Sequence, residues 1–151
     1  MIQRIQSVWL LLAAIFMSAL FYVDVYSVLV PSAVDMPAKM VNDYAAVVSI
    51  KNNFLALGLA GASTLLSLVT IFMFKKRKQQ VSLTWLNILL CIGLVFWLYI
   101  GLNNFWSNYP DNGGNIWIGL FLPVITVFLL LLALRGLRKD EKLIKSLDRL
   151  R

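Results

Sequence analysis

Histidine is absent from the 151 residues, and Cys91 is the sole cysteine. Disulfide frameworks, zinc sites built on Cys and His, and triads built on histidine are thereby excluded. Quinone-linked thiol oxidation through cysteine pairs goes with them. Charge is also scarce, at 14% of residues against 60% hydrophobic. With mean hydropathy of +0.80, the chain falls outside the soluble globular class.

What is present has the scale of a bilayer. A span takes roughly 20 apolar residues to cross about 30 Å of hydrocarbon. Four stretches without a charged residue qualify, at about 5–23, 54–74, 81–102 and 116–134. The first resembles a secretory signal in having Arg4 before an apolar run. No A-x-A-like site follows, and the run continues through Tyr22 and Val23, so it reads as an uncleaved helix. One domain over residues 1–151 is the simplest organisation, since neither an internal repeat nor a low-complexity linker divides the chain.

The few charges are sorted by sign. Arg4, the run Lys75, Lys76, Arg77 and Lys78, and the tail bases Arg135, Arg138, Lys139, Lys142, Lys145, Arg149 and Arg151 fall on one side of the spans. Lys39 and Lys51 alone fall on the other, beside Asp24, Asp35, Asp43 and Asp111. The positive-inside rule then places both termini in the cytoplasm. The expected fold is an all-α, integral membrane four-helix bundle, with residues 135–151 forming a cytoplasmic amphipathic basic helix.

The connections add detail. A link as short as Lys75 to Gln80 makes spans two and three an adjacent antiparallel hairpin. In the first outer loop, Met40, Val41, Tyr44 and Val48 have helical spacing, which suggests a short surface helix, although Tyr44 to Ile50 reads equally well as extended. The second outer loop, residues 103–115, holds Pro110-Asp111 and Asn112-Gly113-Gly114, which is turn chemistry. Eight of the ten Trp and Tyr residues map to the outer half, and Trp9 and Trp85 to the inner interface; an aromatic belt explains both sets, but the outer bias is larger than a belt requires and also suits a docking surface for a lipid or protein partner.

Polar residues inside spans are the candidates for function. Ala56, Ala60, Ser63, Ser67 and Thr70 alternate by four and three along span two, which reads as a packing seam. Small side chains let helices approach in lipid, and a cross-helix hydroxyl bond adds about 0.6 kcal/mol. Asn87 needs a partner, because an unpaired amide at that depth costs several kcal/mol. An interhelical hydrogen bond that sets the hairpin's register is favoured over a binding site. Pro123 interrupts span four and should kink it. Asp24 is the sole acid near a span, so the mid-depth carboxylate that proton-coupled exporters use is missing.

In the tail, Leu143, Ile144, Leu147 and Leu150 share one face of a basic helix. That stripe suits a groove on a partner, and the bases suit anionic headgroups. Without aromatic residues for stacking, nucleic acid is an unfavoured partner beyond proximity to a ribosome.

Three segments carry a resemblance: the opening Met1-Ile-Gln-Arg-Ile-Gln-Ser7, the hairpin from Thr70 through Lys-Lys-Arg-Lys-Gln-Gln80 with Leu86-Asn87-Ile-Leu-Leu90, and the tail Leu134-Arg-Gly-Leu-Arg-Lys-Asp-Glu-Lys-Leu143. Together they resemble a family of four-helix inner-membrane proteins of Bacteroidota, domain of unknown function family 4293. The hairpin departs from that family's pattern at Lys76 and near Ser82. The resemblance implies topology and bacterial origin, and transfers no catalytic or ligand residues.

The resulting expectation is a non-enzymatic accessory or scaffold subunit of a larger membrane complex, with protein export or envelope biogenesis as a host process. It docks on lipids and other membrane subunits through its basic hairpin and tail. No cofactor, metal or small-molecule substrate is called for. The rival is a small transporter or lipid-handling protein, with Asn87, the hydroxyl stripe and Pro123 lining a path.

Overall fold

The computed structural model describes residues 3–29, 45–48, 50–73, 76–108, 114–116 and 118–148. Four helices dominate: α1 (Gln3–Ala19), α2 (Phe54–Phe72), α3 (Arg77–Asn108) and α4 (Leu122–Asp148). Three are long and apolar enough to cross a membrane, with mean hydropathies of 2.0, 2.1 and 2.5 over the windows in α2, α3 and α4. The helix α1 is apolar but has only 17 residues. It stops at Ala19 and turns through Phe21 and Tyr22, short of the span expected to Val23.

Each helix packs on two neighbours, α1 on α2 and α4, and α3 on the other faces of the same two. The core is lined by Leu10, Met17, Leu94, Leu98, Leu130 and Leu134, while Phe54, Leu65, Phe72, Leu89, Phe96 and Phe128 face outward. In water such an exterior would drive aggregation. In lipid it is the ordinary surface, and close packing rather than hydrophobicity selects what goes inside. The helix α2 shows this plainly, because its buried residues are Ala56, Ala60, Ser63, Ser67 and Thr70, while Leu55, Leu57, Leu65 and Leu68 point out.

The bundle is not purely helical. Three short strands, β1 (Tyr26–Leu29), β2 (Ala45–Val48) and β3 (Gly114–Ile116), form an antiparallel sheet in the order β2-β1-β3. Tyr26 pairs with Val48 on one side and Ile116 on the other. The outer-loop segment at residues 45–48 is therefore extended rather than helical, and Met40, Val41 and Tyr44 lie outside the described residues. The physical reason is a partner: Tyr26, Val28, Val47 and Val48 suit a pleated surface, and strands from two distant loops complete the backbone bonds.

Two further expectations change. Asn103 to Asn108 continue α3 instead of forming a loop, leaving residues 109–113 of the turn-rich segment outside the described residues. Pro123 does not interrupt a helix, because it is the second residue of α4. At that position its missing N–H is one that helix geometry leaves without an intrahelical partner anyway. The chain enters α4 through a 3-10 turn, Ile118–Leu120, whose Gly119 is buried against the backbone of Asp24 and Val25.

Finally, residues 135–148 are not a separate helix. They continue α4 without a break to Asp148.

Candidate functional site at the basic end

At the end of the bundle opposite the sheet, three helices converge on one carboxylate. Gln6 Nε2 on α1 donates to Asp140 Oδ2 on α4 at 2.8 Å. Arg77 Nη1, from the first residue of α3, donates to the same oxygen at 2.9 Å. Asp140 is buried, and the side chains of Arg77 and Asp140 are 17% and 11% exposed. The helix α3 has no acid in its first turn, and Asp140 brings a negative charge to its opening residue from α4.

Two neighbours make this junction possible. Gly136 sits one turn before Asp140, where an added Cβ would lie 2.9 Å from Gln6 Cγ. Its bare backbone leaves room for Gln6 to pass along α4. Leu137, the next residue, is 1% exposed and belongs to the interior of the bundle. One turn into α3, buried Gln80 donates from Nε2 to the carbonyl of Thr70 at 3.1 Å. That carbonyl is in the last turn of α2, where it also accepts from the backbone N–H of Met73 at 3.3 Å, and Gln80 adds a second donor from the next helix that closes the hairpin.

A second polar cluster lies deeper between α2 and α3. Ser63 Oγ donates to Asn87 Oδ1 at 2.7 Å, and Asn87 Nδ2 donates to Ser67 Oγ at 2.7 Å. Cys91 Sγ is 3.1 Å from Ser63 Oγ. Thr70 and Thr84 return their hydroxyls to the carbonyls of Leu66 and Gln80. Among the described residues, every buried side-chain nitrogen or oxygen has a hydrogen-bond partner. This cluster ties α2 to α3 through side chains that bond to one another.

Lys76, Lys78, Arg135, Arg138 and Lys139 are exposed. Arg138 lies over the ring of Trp85 on α3, 5.0 Å from its centroid. Between α3 and α4 runs an open groove of about 720 Å³ bordered by Trp85, Leu131, Leu134, Arg135, Arg138, Lys139 and Glu141. Lys75, Arg149, Leu150 and Arg151 lie outside the described residues, and for Lys142, Leu143, Ile144, Lys145 and Leu147 the helical backbone alone is described.

Of the residues singled out in the sequence, the structure brings together Ala56, Ala60, Ser63, Ser67, Thr70 and Asn87 at the contact of α2 with α3, and Arg135, Arg138 and Lys139 along the groove. Arg77 is not on the outer surface with its basic neighbours, because it is held by Asp140. Sequence reasoning missed Gln6, Gln80, Gly136, Asp140 and Trp85's pairing with Arg138. A signal existed: Asp140 is an acid amid bases at helical spacing from apolar Leu130, Ala133 and Leu137, which places it on the buried face of the same helix.

The segments that carry the family resemblance are those that meet here. Gln6 comes from the opening, Arg77 and Gln80 from the hairpin, and Gly136 and Asp140 from the tail. In comparison with known proteins, no curated protein and no solved structure matches the chain. A family model described as Domain of unknown function (DUF4293) matches residues 2–150. The chain therefore belongs to the DUF4293 family.

Proposed function

We propose that this protein is a non-enzymatic accessory or scaffold subunit of a larger assembly in the bacterial inner membrane, of the kind that serves protein export or envelope biogenesis. Both termini face the cytoplasm, and the basic end is the docking face. The observation that carries this reading is the division of labour among polar groups. Among the described residues, those buried at mid-depth are bonded to one another or to carbonyls of their own helices, whereas exposed Lys76, Lys78, Arg135, Arg138 and Lys139 gather at one end. The gathering is supported by the bonds from Gln6 and Arg77 to Asp140, which bring the N-terminal helix, the hairpin turn and the end of α4 side by side.

Clustered bases at one end of an apolar bundle orient it with that end inward. They also offer charge to an acidic protein surface or to anionic lipid. A transport path has less support, because Asn87, Ser63 and Ser67 form a closed hydrogen-bonded set between α2 and α3.

The test is gentle detergent purification of a tagged full chain, followed by mass spectrometry of what accompanies it. The comparison is a chain ending after Glu141, which keeps Leu137 and Asp140 in place, and a chain carrying Lys76→Glu and Lys139→Glu. A discrete partner at fixed stoichiometry, depleted in either altered chain, is the expected result. Identical partner sets in all three overturn the docking face.

A further inference from the structure

The groove between α3 and α4 changes character along its length. Leu131 and Leu134 face it together with Trp85, and Arg135, Arg138 and Lys139 follow on α4. From Leu131 to Arg138 is two turns of helix, so apolar lining gives way to basic lining over about 10 Å. That is the scale on which a phospholipid changes from acyl chain to phosphate. Trp85 marks the boundary, 40% exposed, with the guanidinium of Arg138 over its ring.

The charge balance fits the same ligand. Among the described residues, three cationic groups and one acid, Glu141, line the groove, and the nearby Asp140 is already committed to Arg77 and Gln6. The volume of about 720 Å³ is that of a small-ligand site. An aromatic belt explains a tryptophan at this depth, but it does not require a guanidinium held on the ring or two further bases within reach.

We propose that this groove binds the phosphodiester headgroup of one anionic phospholipid from the leaflet that meets the basic end. Arg135, Arg138 and Lys139 receive the phosphate, and Trp85 and Leu131 receive the glycerol and first methylenes. This rests on the inward orientation in the proposed function, and not on the docking of a protein partner.

The experiment is native mass spectrometry of the purified full chain in detergent micelles, with phosphatidylglycerol or phosphatidylcholine of identical acyl chains. Retention of one phosphatidylglycerol, preferred about tenfold or more, is expected, since each base near an anionic headgroup contributes severalfold. Arg135→Ala with Arg138→Ala abolishes the preference, whereas Lys76→Ala with Lys78→Ala, an equal loss of charge away from the lining, preserves it. Trp85→Leu lowers retention by about threefold with every charge in place. Circular dichroism confirms that each variant keeps its helices. Equal retention of the two lipids, equal loss in both double variants, or displacement of the lipid by millimolar inorganic phosphate overturns the proposal. Because no protein partner is present, a failure here leaves the partner-recovery result of the docking face to stand by itself.

Discussion

Replacing Asp140 with Ala removes the one acceptor shared by α1, α3 and α4. Gln6 Nε2 and Arg77 Nη1 both lose their bond to Oδ2, at 2.8 and 2.9 Å respectively. Breaking one side of a fully buried ion pair costs about 3–5 kcal/mol, and an exposed pair is worth about 0–1 kcal/mol. With side chains 17% and 11% exposed, this pair stands between those limits, nearer the buried one. Gln6 is buried, and its bond to a charged acceptor is of the kind worth about 1.5–3 kcal/mol. Because the three groups share one site, these amounts do not add. The expected loss is about 2–4 kcal/mol.

The measurement is reversible unfolding in mixed micelles, titrated with dodecyl sulfate and followed by far-ultraviolet circular dichroism. Asp140→Asn keeps an acceptor oxygen and loses the charge, so it should cost about half as much as Asp140→Ala. The decisive variant combines Asp140→Ala with Arg77→Met, which leaves no uncompensated charge. Its loss should fall short of the sum of the single losses by about 1–2 kcal/mol. An additive double variant, or an Asp140→Ala loss below about 0.5 kcal/mol, would refute the view that this carboxylate ties the helices together.

Gly136→Ala gains about 1 kcal/mol of helix propensity but places a Cβ 2.9 Å from Gln6 Cγ, so it should be near neutral in the native chain and stabilising in a Gln6→Ala background, read by the same titration. Gly119→Ala meets the carbonyl oxygen of Asp24 rather than a side chain, and should cost about 1–3 kcal/mol; a native-like midpoint would show that this close approach is absent. Asn87→Ala leaves Ser63 and Ser67 without their shared partner and should cost about 1–3 kcal/mol, again by unfolding titration. In a Cys91→Ala chain, Lys76→Cys should react with a membrane-impermeant maleimide only after cells are opened, and Lys51→Cys before; the reverse pattern overturns the inward orientation.

The helical part of the fold was legible because periodicity and charge report on it directly. The seam from Ala56 to Thr70 could be read from spacing alone, since small residues at four and three fall on one helix face whatever the partner is. The sheet was not legible in the same way. Its strands are three or four residues long, and β3 reaches β1 from the other outer loop across most of the chain, so no local pattern identifies that partner. Pro123 misled because apolar residues run on either side of it, and hydropathy does not distinguish the interior of a span from its first turn. The Asp140 junction escaped because counting charges by side of the membrane treats each one as solvent-facing, while the 3.6-residue period of α4 continues past the apolar span and turns this acid inward.

That continuation divides the basic tail. Through Asp140 the residues of α4 alternate between inner positions, Leu134, Leu137 and Asp140, and outer ones, Arg135, Arg138 and Lys139. The first set is needed for the bundle to close, and the second is available to a ligand. A deletion that begins at Arg135 therefore removes the inner positions and the exposed bases together, and cannot separate them. Substitution of outer positions with Asp140 retained does separate them, because Asp140 holds Arg77 and Gln6 whatever occupies the groove. If the basic end acts on lipid or protein, loss of Arg135 and Arg138 should abolish that action at wild-type stability, whereas loss of Asp140 should lower stability first and binding only in proportion.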